Sequence, residues 1–128
     1  MNEPRWLTRP IVDAMHARSL ADHGGAAGLR DEGLLEGALA KPRNLAAYGE
    51  PSVFALAAAY LIGIGRAHAF VDGNKRTAFL SAYVFLGLNG WELDVDEAEA
   101  AAVTIDAATG ELSERDLARW LEAGCGPA

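Results

Sequence analysis

Eleven residues near the middle of the chain, RAHAFVDGNKR at positions 66–76, carry a dense set of groups that could do chemistry. They include two arginines, a lysine, an aspartate, an asparagine and a histidine, and apolar segments flank them on both sides. Clustered cations, a glycine and the free N–H groups of a helix start are the components of a phosphate-binding loop. The stretch therefore predicts an anion site at the junction between two apolar helices.

The cations of this cluster stand at the wrong end of a helix. The following helix is predicted to begin near Asp72 or Gly73, which places Asn74, Lys75 and Arg76 in its first turn. That end of a helix carries a partial positive charge, so each cation there costs about 0.3–1 kcal/mol. Two consecutive cations in this position indicate a compensating anion, and the glycine would let the backbone approach it closely.

Two further side chains suit phosphate chemistry. The Asp72 carboxylate is a hard oxygen ligand of the kind that holds one Mg²⁺ bound also to substrate phosphates. His68 lies four residues earlier, where a neutral imidazole could accept the proton of an attacking hydroxyl. Phe70 lies between them and is predicted to anchor the loop against the core.

Each of these residues also has a purely structural explanation. Asp72 alone could be a helix N-cap, Gly73 a simple turn, and the two cations part of a solvated helix face. His16 and His23, which lie outside the cluster, are interpreted as ordinary core or surface residues. It is the coincidence of all these residue types at one junction that favours a functional site.

The elements that must position this cluster are predicted to be helices. Hydrophobic residues make up 51% of the 128 residues, alanine and leucine dominate, and β-branched residues are sparse, which favours helix over strand. No convincing strand is predicted, and the length fits one domain with a single core. The fold class is therefore all-α. The predicted helices lie at about 8–23, 31–41, 52–67, 73–90, 96–110 and 113–124.

Two of the predicted helices are apolar on most faces, and two stretches are predicted to be irregular. The helices at 52–67 and 73–90 should lie at the centre of the bundle. The irregular stretches are 24–31 and 41–50, of which the second is long for a connection in a small helical domain. A lid, a docking element and a plain surface loop are all open interpretations of it.

Composition and charge exclude several classes of protein. A net charge of −7 argues against a nucleic-acid binder, which would need a basic face. The one cysteine, Cys125, cannot form an intrachain disulfide and suits a reducing cytoplasm. The longest uncharged run, 51–65, is shorter than the roughly 20 residues that span a membrane, and the N-terminus lacks an apolar signal core. We therefore expect a cytoplasmic protein with no direct contact to nucleic acid or membrane.

The segment HAFVDGNKR resembles the signature of the Fic/Doc superfamily, His-x-Phe-x-(Asp/Glu)-Gly-Asn-(Gly/Lys) followed by arginine. GLRDEGLLEGAL before it and AATGELSERDLARWL after it resemble the death-on-curing (Doc) branch. The resemblance covers about residues 8–123 of one domain, 1–128, and implies a compact helical bundle of about six helices. It implies His68 as the catalytic base and Asp72 as the Mg²⁺ ligand. It further implies a set of residues that bind the phosphates of ATP: Arg66, Gly73, Asn74, Lys75 and Arg76.

Two residues favour the Doc branch over the AMP-transferring members. Those members usually have glycine where this chain has Lys75, and a second arginine where it has Phe79. A Doc-type protein implies transfer of the ATP γ-phosphate to a hydroxyl of translation elongation factor Tu, which arrests translation. Gly73 is a departure, because several Doc members have alanine there, and it keeps AMP transfer to a protein hydroxyl as an alternative. A binding module without catalysis is the third hypothesis.

The resemblance also implies a partner. Some Fic proteins inhibit themselves through the pattern (Ser/Thr)-x-x-x-Glu-(Gly/Asn), which does not occur in this sequence. An active member would then need a separate inhibitor, and in type II toxin–antitoxin systems of the Doc kind this is a Phd-type antitoxin whose tail docks on the toxin. The acidic balance of the chain suits a basic or amphipathic tail.

Overall fold

The computed structural model of the protein describes residues 3–128. These residues form helices connected by short loops, together with one small two-stranded sheet, so the all-α class is confirmed. In chain order the elements are α1 (Arg9–His23), α2 (Glu32–Ala47), α3 (Val53–Ala67), α4 (Asn74–Leu88), β1 (Trp91–Leu93), α5 (Glu97–Thr109), α6 (Glu114–Gly124) and β2 (Cys125–Pro127).

Capping contacts explain why most helices begin where the sequence predicts. Asp31, Ser52, Asp96 and Ser113 each accept a hydrogen bond of 3.0–3.1 Å from the backbone N–H three residues later. Such a bond satisfies one of the N–H groups that have no partner within the helix. Thr8 also precedes its helix with extended backbone, although its side chain makes no capping bond. The first helix therefore begins as predicted, with Thr8 at the N-cap position but without a side-chain capping bond.

The second helix is longer than predicted. It continues through Pro42 to Ala47, so the predicted irregular stretch 41–50 is wrong except for its last three residues. Proline normally ends a helix because it lacks an N–H and crowds the carbonyl four residues earlier, here that of Ala38. Gly63 of α3 faces this carbonyl, and a Cβ at that position would lie only 3.1 Å from it. Burial of Pro42 and packing of α2 on α3 outweigh the local propensity.

The prediction that no strand forms is wrong for the last part of the chain. α4 ends at Leu88, and the three residues of β1 pair in antiparallel fashion with those of β2, so that Leu93 lies opposite Cys125. Leu93 is buried between this small sheet and the helices. Three residues are too few to show an alternating pattern, and the partner strand lies far away in the sequence.

The third helix occupies the centre of the bundle and packs against α2, α4, α5 and α6. Its apolar residues are buried on nearly all faces, as the sequence indicates for a central helix. The phenol oxygen of Tyr60, its largest polar side chain, accepts a hydrogen bond of 3.2 Å from the Leu7 N–H. Within residues 3–128, neither α3 nor any other helix is long and apolar enough to cross a membrane. The core thus fixes the end of α3, where the polar cluster begins.

The join between α6 and the small sheet has no room for an added methyl group. A Cβ at Gly124 would lie 2.6 Å from Val95 Cγ1 and 3.1 Å from Leu93 Cδ1. We therefore expect Gly124→Ala to destabilise the fold by about 1–3 kcal/mol through overpacking. Gly126→Ala is the matched control, because no atom lies within 4 Å of a Cβ there. Thermal unfolding should show a lower Tm for Gly124→Ala alone, and equal Tm values for the two variants would contradict the assignment.

Candidate nucleotide-binding and active site

The polar cluster forms a loop between the end of α3 and the first turn of α4, and residues 68–76 are called the motif loop below. His68 ends α3 with left-handed backbone angles of φ 50° and ψ 42°. Gly73 begins α4, also in the left-handed region, with φ 78° and ψ 16°. Glycine adopts this conformation without steric cost, whereas histidine does not. The motif loop is therefore a tight connection whose two ends both depend on unusual backbone angles.

The Asn74 side chain holds the interior of the motif loop. Its Oδ1 accepts a hydrogen bond of 3.0 Å from the Phe70 N–H, and its Nδ2 donates one of 2.9 Å to the Phe70 carbonyl. A side-chain amide thus satisfies both backbone groups of one residue. The side chain of Asn74 is engaged inside the loop and is not free to bind an anion. The predicted anion contact of Asn74 would therefore be made by its backbone N–H, which lies in the first turn and has no partner within the helix.

Phe70 and His16 form a stacked pair beneath the motif loop. Phe70 is 3% exposed, and its ring centroid lies 3.8 Å from that of His16 with an angle of 13° between the planes. His16 Nε2 lies 2.8 Å from the Asp72 backbone oxygen, so this nitrogen carries the proton and donates, because a carbonyl only accepts. His16 is buried, as a core residue would be, but sequence reasoning missed its contact with the loop. The available signal was its place on the buried face of α1, beside Val12 and Met15.

The Asp72 carboxylate is exposed and fixed by two backbone amides. Oδ1 accepts a hydrogen bond of 2.8 Å from the Gly73 N–H, and Oδ2 accepts one of 3.4 Å from the Ala26 N–H. These two bonds, helped by the charges of Arg76 and His16, hold the pKa of the Asp72 carboxyl below its ordinary value. The N-cap interpretation of Asp72 is wrong, because the residue that begins α4 is Gly73. The carboxylate is therefore a fixed anion beside the helix start.

The Asp72 carboxylate could bind the predicted Mg²⁺ together with a nucleotide. Each carboxylate oxygen has spare lone pairs after accepting one amide bond, so the group can still bind a cation. Within residues 3–128, no group of three or more Asp, Glu, His or Cys side chains is arranged to hold a metal by itself. Mg²⁺ is often bound by one or two carboxylates together with water and substrate phosphates. The residues present thus suit a cation that arrives with a nucleotide, not a site built from protein ligands alone.

The first turn of α4 carries two cations, Lys75 and Arg76. In the part of the chain that the structure describes, neither Lys75 nor Arg76 forms a salt bridge. Lys75 is exposed, while Arg76 is half-buried and donates from Nη2 to the Gly24 carbonyl at 3.0 Å. Their charges add to the positive end of the α4 macrodipole. The motif loop therefore presents a positive helix start suited to phosphate groups, beside the Asp72 carboxylate.

Arg66 is placed differently from the other predicted anion ligands. Its Nε and Nη2 donate hydrogen bonds of 3.3 and 3.0 Å to the Ala107 carbonyl, near the end of α5. A guanidinium at the C-terminal end of a helix is favourable there. The structure thus brings Gly73, Lys75 and Arg76 together at the start of α4 but directs the Arg66 side chain to α5. Its role toward a nucleotide stays a prediction.

The irregular stretch 24–31, called the glycine-rich segment below, lies along the motif loop in antiparallel fashion. Leu29 and Phe70 form an isolated β-bridge, and the Val71 N–H donates to the Gly28 carbonyl at 3.0 Å. The contacts of Asp72 with Ala26 and of Arg76 with Gly24 extend this pairing. The segment is exposed throughout, so the contacts with the motif loop are what order it. Sequence reasoning left this segment without a role.

Gly25 allows the glycine-rich segment to pass close to Asp72. A Cβ at Gly25 would lie 2.8 Å from Asp72 Oδ2, and the carboxylate is the group that would move. We therefore expect Gly25→Ala to weaken Mg²⁺-dependent ATP binding roughly tenfold, as changes around a metal ligand do. Gly24→Ala is the control, since Gly24 also has a positive φ but no atom within 4 Å of a Cβ. Calorimetric titration of both variants would test this, and equal losses of affinity would point to backbone strain instead.

Lys75 is expected to contribute to the transfer rate and not to the stability of the fold. Lys75→Ala should lower the transfer rate roughly 10²-fold by removing one charge from the phosphates. Its Tm should stay the same or rise slightly, because a cation at a helix start is unfavourable. Lys41→Ala is the control, because Lys41 is bonded to Glu114 at 2.9 Å on another part of the surface. A lower Tm together with normal transfer by Lys75→Ala would contradict the assignment.

Comparison with known proteins identifies the family of the chain. A sequence profile of the Fic/DOC family matches residues 6–86. The chain is 38% identical over 118 residues to "Protein kinase doc" of Escherichia phage P1, an alignment that covers 91% of this chain and 93% of that protein. It is 46% identical over 94 residues to "Toxin Doc" of Mycolicibacterium smegmatis, covering 68% of this chain and 71% of that protein. The chain belongs to the Fic/DOC family. Within the family it falls in the Doc branch, as the motif and its flanking segments predicted.

Proposed function

We propose that this Doc-like toxin is a protein kinase, which transfers the γ-phosphate of ATP to a hydroxyl of translation elongation factor Tu and so arrests translation. The observation that carries the proposal is the pair of cations Lys75 and Arg76 in the first turn of α4, in the same loop as the exposed His68. The similarity to a relative named as a protein kinase supports it further. The coarser statement, that the protein is a transferase, rests on the family itself.

In the proposed reaction the protein mainly positions phosphates and neutralises their charge. The first-turn N–H groups of α4 and the Lys75 ammonium hold the phosphates. Arg76 contributes its remaining N–H donors, because only one of the five is bonded to Gly24. Asp72 would hold Mg²⁺, which when bound would neutralise charge on the phosphate oxygens.

His68 is the proposed general base. Its imidazole is exposed, and within residues 3–128 no hydrogen bond engages the ring. An unengaged ring nitrogen can accept the proton of a target hydroxyl as that oxygen attacks the γ-phosphorus. The proton moves to His68, the new P–O bond forms to the target, and the bond to the β-phosphate oxygen breaks to leave ADP.

The proposal is tested with ATP labelled separately at the α- and the γ-phosphate. Each nucleotide is incubated with purified elongation factor Tu, Mg²⁺ and either wild-type protein or His68→Ala. We expect label to enter the target from the γ-position only, and to be absent with His68→Ala. Label from the α-position would refute kinase activity, and label that persists with His68→Ala would refute the role of His68.

AMP transfer is the second candidate, favoured by Gly73. This residue begins α4 with a positive φ, and the Fic-type motif has glycine at this position. Phe79 weighs against this candidate. In AMP-transferring members that position usually carries an arginine that grips the triphosphate, whereas Phe79 here packs against the core. Mass spectrometry of the modified target separates the two reactions, because an added AMP is far heavier than an added phosphate.

The proposed partner is a Phd-type antitoxin, and the proposed location of both proteins is the cytoplasm. The similarity to a protein named as a toxin supports a toxin–antitoxin system. The chain's net charge of −7 would suit a basic or amphipathic antitoxin tail. Co-expression with a Phd-type antitoxin should restore growth that the toxin alone arrests. A non-toxic wild-type protein without its antitoxin would contradict this assignment.

A further inference from the structure

His68 has a backbone conformation that residues with a side chain rarely adopt. Its φ of 50° makes it the single non-glycine residue with a positive φ within residues 3–128. Such a conformation costs free energy and persists only where the surrounding contacts impose it. The direction of the imidazole depends on these backbone angles, so the contacts that impose them also decide where the proposed base points.

Arg30 makes the most direct of these contacts. Its Nε and Nη2 donate hydrogen bonds of 2.9 and 2.5 Å to the His68 backbone oxygen. The direction of this carbonyl is set by the ψ angle of His68. Because two N–H groups of the Arg30 guanidinium donate to the same oxygen, they restrain that angle. A carbonyl at the end of a helix has no partner within the helix and favours a cation. The guanidinium therefore both satisfies and orients the end of α3.

Backbone N–H groups at Arg30 and the following residue bind the next carbonyl of the motif loop, that of Ala69. The N–H groups of Arg30 and Asp31 donate to the Ala69 carbonyl at 2.7 and 3.0 Å. Two consecutive carbonyls of the motif loop are thus held by two consecutive residues at the end of the glycine-rich segment. Ala69 is buried and cannot adjust toward solvent. Removal of the Arg30 fork would leave the Ala69 contacts in place and free mainly the peptide group that follows His68.

We propose that Arg30 is a positioning residue for His68, an inference that rests on the proposed role of His68 as the base. Arg30 acts through the His68 backbone and does not touch the reacting atoms. It links the glycine-rich segment to the reaction, because order in that segment is required for the base to point correctly. Lysine cannot replace it fully, since an ammonium is a point charge without the planar fork.

The test compares Arg30→Gln and Arg30→Lys with wild type and with Arg119→Gln, an exposed arginine on α6. We expect Arg30→Gln to lower the kcat of γ-phosphate transfer about 10- to 100-fold, as small misplacements of a catalytic group do. The Kd for ATP with Mg²⁺ should stay within about twofold of wild type, because neither the phosphate-binding amides nor Asp72 is altered. Arg30→Lys should lie between Arg30→Gln and wild type, and Arg119→Gln should match wild type. A kcat for Arg30→Gln equal to that of wild type would overturn the proposal, and so would a loss confined to nucleotide affinity.

A second readout separates this inference from the proposed function. Amide hydrogen exchange in the free protein should be faster in Arg30→Gln at residues 68–70, and unchanged there in Arg119→Gln. If wild-type protein transfers no phosphate, the proposed function fails, but the exchange measurement still decides whether Arg30 holds His68. Unchanged exchange at residues 68–70 in Arg30→Gln would overturn the positioning role whatever the reaction is.

Discussion

Replacing His68 is expected to remove phosphate transfer while leaving nucleotide binding intact. A positioned general base contributes about 10²–10⁴ to a rate, so both His68→Ala and His68→Asn should lose a factor in that range. The ring makes no hydrogen bond within the described residues, so neither change removes a hydrogen bond of the side chain. The two variants should differ in stability, because asparagine tolerates left-handed backbone angles better than alanine.

Kinetic and thermal measurements on both variants check this expectation. Both should bind ATP with Mg²⁺ with wild-type affinity by calorimetry, and His68→Asn should unfold at the higher Tm of the two. His23→Ala is the matched control, because His23 is an exposed histidine in the last turn of α1 and should transfer phosphate normally. A His68→Asn variant that retains transfer would show that another group accepts the proton.

Asp72→Asn is expected to uncouple nucleotide binding from Mg²⁺. The substitution keeps the shape of the side chain but removes the charge that a divalent cation requires. Changes to residues that merely support a metal ligand cost about 10–100-fold in metal affinity, so loss of the proposed ligand itself should cost at least that much. Calorimetry with ATP, with and without Mg²⁺, should show that Mg²⁺ improves affinity for wild type and not for Asp72→Asn. An equal Mg²⁺ effect in both proteins would contradict the assignment.

The lowered pKa of Asp72 also predicts a pH dependence of stability. The amides of Gly73 and Ala26 favour the charged carboxylate in the folded protein, so its pKa is lower folded than unfolded. The resulting stabilisation is fully present above the unfolded value of about 3.9 and is lost as the pH falls through the lower folded pKa. The Tm difference between wild type and Asp72→Asn should therefore be constant near neutral pH and shrink only in acid below that value. A difference that instead changes between pH 5 and 8, a window about 1–4 units above that value, would show that another group is responsible.

Local sequence was sufficient to predict most of the helical framework. The caps Asp31, Ser52, Asp96 and Ser113 act through hydrogen bonds to amides three residues away, so their positions can be read from the chain. The motif loop was predictable for the same reason. Its glycine, its two cations and its carboxylate lie within a few residues of one helix start, where the local backbone fixes their neighbourhood.

Tertiary structure decided the features that depend on residues distant in sequence. The continuation of α2 through Pro42 depends on burial against α3, and the pairing of β1 with β2 joins residues more than thirty positions apart. His16 reaches the Asp72 carbonyl only because α1 packs on α4. The glycine-rich segment lies along the motif loop, and Arg30 reaches His68 across 38 positions. The sequence by itself determined which residue types lie together in the motif loop. Only the tertiary structure brought His16 and Arg30 to that loop, because such contacts depend on the path of the folded chain, and the position of a residue in the sequence does not identify its distant partner.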